Sequence, residues 1–123
     1  MVITMREFLF LAATFLGLTL TVHAQSQPEL NAQAQAKFDK ADKELNDVYQ
    51  KVLKQLGDDA ITKQKFIAAQ KAWIKFRDAE AELAADSERG GSLENMMYSN
   101  SETETTKARI VELKKYLADS QGK

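Results

Sequence analysis

The sequence predicts an all-α protein: an elongated antiparallel bundle of three main helices plus a short helical turn, following a cleaved signal peptide. Three observations carry that expectation. Apolar residues recur at steps of three and four along separate stretches, the period of a helix face. The only proline is Pro28, and the stretches between the few glycines are rich in Ala, Lys, Glu, Gln and Leu, all good helix formers. Val, Ile and Thr nowhere alternate with polar residues for long, so strand signals are missing.

The first element is the export signal. Arg6 and Glu7 close a short charged start, Phe8 to Val22 is nearly unbroken apolar chain, and Val22-His23-Ala24 offers small or apolar residues at a cleavage site. A retained anchor is the alternative, but the apolar run is roughly 15 residues against the about 20 that a bilayer span needs. No Cys follows it, which excludes a lipid anchor on an N-terminal cysteine. Residues 1–24 are therefore expected to be a signal peptide and residues 25–123 a single helical domain. That domain would lie in the periplasm or be secreted, without a stable membrane anchor.

Cleavage removes His23, the only histidine, and the chain has no cysteine. A domain of this size is marginal without extra help, and disulfides, the usual help for exported domains, are not available. The net charge is −1 and lysines and acids are interspersed, which reads as a solvated surface rather than a nucleic-acid footprint.

The first helix should start near Ser26, where Ser26-Gln27-Pro28-Glu29 has the spacing of a capping box. Its stripe is Phe38, Ala41, Leu45, Val48 with Tyr49, Val52 and Leu56, and Gly57 should stop it. From Glu29 to Leu56 it would be about 42 Å long. Asp58 or Asp59 can cap the second helix, whose stripe runs Ile61, Phe66 with Ile67, Gln70, Trp73 with Ile74, Phe76 with Arg77, and Leu83. Gly90-Gly91 should break it. Ser92 is a candidate cap for a short turn through Met96, Met97 and Tyr98. A second capping-box spacing, Ser101 to Glu104, then opens a third helix with the stripe Thr106, Ile110, Leu113 and Leu117. Short connections imply antiparallel packing.

The residue inventory limits the chemistry. Without His or Cys, Ser-His and Cys-His nucleophiles are impossible in their usual forms, and zinc and haem lose their common ligands. Gly90-Gly91-Ser92 lacks the remainder of a phosphate loop. Asp78 and Glu82, four apart, are candidates for a calcium or glycosidase carboxylate pair, or simply for an acidic face. No catalytic residue, cofactor or metal is expected. Trp73 reads as core or as a ligand-stacking ring. Arg77 is unusual in a core stripe: it can snorkel, pair with a carboxylate or meet a partner, and Asn46 and Tyr49 can join the same polar network. Met96, Met97 and Tyr98 read as core or as an adaptable partner surface.

Several blocks together resemble the LprI-like N-terminal domain family of lysozyme inhibitors: Leu45-Asn46-Asp47-Val48-Tyr49; Ala69 to Glu80, with its Gln70, Trp73, Phe76, Arg77 and Asp78; Gly90-Gly91-Ser92; and Thr106 to Arg109 followed by Glu112-Leu113. The resemblance spans roughly Phe38 to Leu117. It implies that Asn46, Tyr49, Gln70, Trp73, Arg77, Asp78 and Arg109 are family-motif residues. It also implies a cysteine pair at positions where this chain has Ala81 and Ser101, a bridge whose absence forgoes about 3 kcal/mol. The family name implies a non-catalytic envelope protein whose partner is a lysozyme-type hydrolase. Arg89 in the loop Ser87 to Ser92, and the Met96-Met97-Tyr98 turn, are then the candidate partner-binding residues. The alternative is a structural or adaptor module of the periplasm with no lysozyme contact.

Overall fold

A computed structural model describes residues 24–122. The expected signal peptide lies outside the described residues except for Ala24. Three helices account for most of the rest: α1 (Gln27–Leu56), α2 (Ala60–Asp86) and α3 (Glu94–Gln121). Among the described residues none is in a strand, and no helix is long and apolar enough to cross a membrane.

The helix boundaries follow local chemistry. Ser26 accepts from the Glu29 N–H while Glu29 accepts from the Ser26 N–H, completing the capping box, with Pro28 in the first turn where its missing N–H costs nothing. Gly57 ends α1 with φ 54°, a region that disfavours any side chain. Asp59 then caps α2 by accepting from the Thr62 N–H at 3.0 Å. Hydrogen bonds from Thr62 hold the Asp59 carboxyl below its usual range.

The expected separate turn is not separate. Met96, Met97 and Tyr98 lie in the opening turns of α3, which is continuous through Ser101. Leu93, rather than Ser92, is the N-cap and makes no side-chain cap bond. Instead Glu94 reaches back to accept from the Gly90 N–H at 2.8 Å, with Gly90 at φ 74°. The Ser101–Glu104 spacing therefore marks no helix start, because the chain on its N-terminal side is already helical.

The chain runs up, down and up. Cross-helix contacts pair Gln35 with Ser99, Glu44 with Lys114 and Gln55 with Ser120, so α1 and α3 are parallel. Gln70 meets Arg109 and Phe66 meets Tyr116, so α2 is antiparallel to α3. α3 packs closely against both other helices, whereas α1 and α2 approach each other much less. The gap between them is spanned by large side chains: Tyr49 stacks on Phe66 with centroids 5.2 Å apart.

Leu45, Val48, Val52, Phe66, Ile110 and Leu113 form the apolar core, with Tyr49, Leu53, Leu56, Trp73 and Leu117 packed around it. The α1 and α3 stripes are placed as their spacing predicts. The α2 stripe is so placed only in part: Phe66, Gln70 and Arg77 are buried, but Ile61 and Leu83 are each 70% exposed and Phe76 is 54% exposed, while Ala81 and Ala85 are buried. At the narrow α2–α3 seam an alanine fills the available space.

Candidate functional site

Most of the residues singled out by the resemblance are assembled around Arg77. Its guanidinium is buried on α2, where Nε donates to Asp78 Oδ1 at 2.9 Å and Nη1 donates to Asp42 Oδ1 of α1 at 3.3 Å. Glu102 of α3 lies 3.9 Å from Nε. One cation thus faces carboxylates from all three helices. Its planar face is also used: the guanidinium sits over the rings of Phe38 and Trp73, with centroids 5.1 and 5.4 Å away. A planar, weakly hydrated cation can make both kinds of contact at once, which a lysine cannot.

Trp73 links this cluster to a second one. Arg109 of α3 lies over the same indole at 5.8 Å, donates to Gln70 Oε1 at 3.1 Å and pairs with Glu112 at 2.9 Å. Gln70, Trp73, Arg77, Asp78 and Arg109 therefore form one connected network. Asn46 joins it indirectly, donating to Asp42 at 3.4 Å. Tyr49 does not join; its ring belongs to the Phe66 stack. Trp73 is half-buried at the junction of the network and the apolar core. Asp42 and Glu102 are members that the sequence reading did not place in the network, and Phe38 was read there only as part of the α1 stripe. An arginine in a buried stripe is the signal that acids must sit opposite it.

The network borders open space. Asp42, Asn46, Tyr49, Gln70, Ile74 and Arg77 are among the residues lining a groove of about 420 Å³ between α1 and α2. Burial pushes the Glu102 carboxyl above its usual range; Arg77 opposes that, while Asp78 and Asp42 reinforce it. Tyr98 is half-buried nearby, and burial together with the charges of Glu102, Asp78 and Glu82 raises its hydroxyl pKa.

The hairpin of α2 and α3 gathers charge of one sign. From Asp78 to Thr106 the acids are Asp78, Glu80, Glu82, Asp86, Glu88, Glu94, Glu102 and Glu104, and the only base is Arg89. Arg89 stands at the tip, with 76% of its side chain exposed and an ion pair to Asp86. Met96 and Met97, in the opening turns of α3, are half-buried. Charges look interspersed along the whole sequence; counted segment by segment, they divide. Among the described residues no group of three or more His, Cys, Asp or Glu side chains is arranged to hold a metal, and Asp78 serves Arg77 rather than pairing with Glu82.

Fold and site together define a small all-α domain with an arginine-centred polar network inside and an acidic, cation-tipped hairpin outside. The chain belongs to the lysozyme inhibitor LprI family, whose family model matches residues 21–113. An uncharacterised protein of Rhizobium meliloti (strain 1021) is 39% identical over 110 residues, covering 80% of this chain and 79% of its own. No solved structure matches the chain.

Proposed function

We propose that this chain is a non-catalytic exported envelope protein that binds and inhibits a lysozyme-type cell-wall hydrolase. Family membership is the first support. The observation that carries the reading is the acidic α2–α3 hairpin with Arg89 exposed at its tip. Lysozymes are typically basic proteins whose catalytic cleft holds a carboxylate pair. An acidic surface steers toward a basic partner, and a protruding cation suits an acidic cleft. On this reading Arg89 enters the cleft, and Met96, Met97 and Tyr98 form the apolar shoulder beside it. The arginine-centred network holds the hairpin rigid and is not itself the contact surface.

The test is a lysozyme lysis assay with added purified protein. Lysis slows, and Arg89→Ala weakens inhibition by about tenfold, the scale of one charge-assisted contact. Unchanged lysis at micromolar protein sinks the inhibitor reading. Capture of envelope partners other than muramidases would then favour the structural or adaptor role.

A further inference from the structure

The outward face of α2 carries a second apolar stripe. Ile61, Ala68, Ala72, Phe76, Ala79 and Leu83 are all exposed, at 70% for Ile61 and Leu83 and 54% for Phe76. At 3.6 residues per turn these six positions fall within an arc of about 80° and run about 33 Å along the helix. The buried residues Phe66, Gln70, Arg77 and Ala81 lie on the opposite side. A helix apolar on two opposite faces needs a cover for each, and within the described chain only the inner face has one.

The pattern of this stripe is complementary to itself when reversed. Around Ala72 as midpoint, Phe76 falls opposite Ala68 and Leu83 opposite Ile61, so the large ring meets a small residue. The flanking charges reverse in the same sense. The first half of α2 carries Lys63, Lys65 and Lys71, and Lys75 just past the midpoint is followed by Asp78, Glu80, Glu82 and Asp86. Lys65 lies within the same arc, and reversal sets it against Ala79, one residue from Glu80, twice by symmetry, whereas a parallel copy would set lysines against lysines. Among the described residues Lys65, Lys75, Glu80 and Glu82 enter no ion pair that would compete.

We infer that this face binds a second copy of the chain, as a two-fold symmetric dimer with antiparallel α2 helices crossing at Ala72. A two-fold contact uses one patch on both partners, so its pattern must match its own reverse. The reading is independent of lysozyme inhibition: the dimer face is the outer side of α2, and Arg89 lies beyond its end.

Sedimentation equilibrium of the purified protein across a wide concentration range tests it. A monomer–dimer equilibrium is expected, weakened by salt. Phe76→Glu, at an exposed site where helicity by circular dichroism should hold, raises the dimer Kd by about thirtyfold or more. Lys65→Glu weakens the dimer and Lys65→Glu with Glu80→Lys restores it. The chain has no cysteine, so Ala72→Cys should oxidise to a covalent dimer while Ala108→Cys, exposed on α3, does not. A protein monomeric at every concentration overturns the proposal, whether residues 8–22 of the same chain or a bilayer proves to cover the stripe. A dimer indifferent to Phe76→Glu overturns it as well.

Discussion

The two ends of the bundle are held together by different physics. Near the α1–α2 turn, Leu45, Val48, Val52, Phe66, Ile110 and Leu113 make an apolar core. Toward the α2–α3 loop the buried residues are small or polar: Ala34, Ala41, Ala81, Ala85, Ser99, Thr103 and Thr106, with Arg77 and Glu102 among them. The first end resists disruption in proportion to the volume filled. The second depends on each polar group having its partner, so its cost lies in what is left unpaired. The apolar end tolerates approximate fit, whereas the polar end requires matched chemistry.

The largest expected effect comes from cutting the polar end at its centre. Arg77→Met leaves Glu102 and Asp42 without their shared cation and should destabilise by about 3–5 kcal/mol, read by denaturant unfolding. Leu45→Ala, at a site 2% exposed in the apolar end, should cost about 3 kcal/mol. The two ends separate in their rescue: adding Glu102→Gln should recover part of the Arg77→Met loss and none of the Leu45→Ala loss. Equal rescue of both, or of neither, would remove the distinction.

A smaller gain is expected at Thr106, which is fully buried and whose hydroxyl finds no hydrogen-bond partner among the described residues. Thr106→Val keeps the shape and removes the orphan, so stability should rise by about 1 kcal/mol. A loss instead would reveal an ordered water at that hydroxyl.

The smallest effect is a pH dependence. Burial raises the Glu102 pKa in the folded state. As pH climbs from the ordinary carboxylate value toward that raised one, the unfolded chain releases this proton first, and stability falls. Glu102→Gln should match the parent at low pH and become relatively more stable across that window. Parallel melting temperatures throughout would place the cost of Glu102 elsewhere.

Much of this was legible in the sequence, and unevenly so. The α1 stripe could be read because Ala41, Leu45, Val48 and Val52 are apolar on one face only. α2 misled because it is apolar on two faces: Ile61, Phe76 and Leu83 fit a helical period as well as any core residue, yet point outward. Alanines are quiet in any stripe, so the buried Ala81 and Ala85 did not read as core. The site was half legible. Arg77 within the stripe announced a buried cation, but its carboxylates come from α1 and α3, and only the fold brings them together. The capping-box spacing at Ser101 failed because four residues cannot report that a helix has already begun.

That α3 packs against both other helices, while α1 and α2 barely meet, fixes the order in which the molecule can be finished. Pairs such as Gln35 with Ser99 and Gln55 with Ser120 join positions more than 60 residues apart. On the ribosome, α1 and α2 emerge with only bridges such as Tyr49 on Phe66 and Arg77 with Asp42 between them, and without the α3 surface on which both pack. The chain stays open until its last third has been made, and a polypeptide of that kind remains threadable for as long as it is being synthesised.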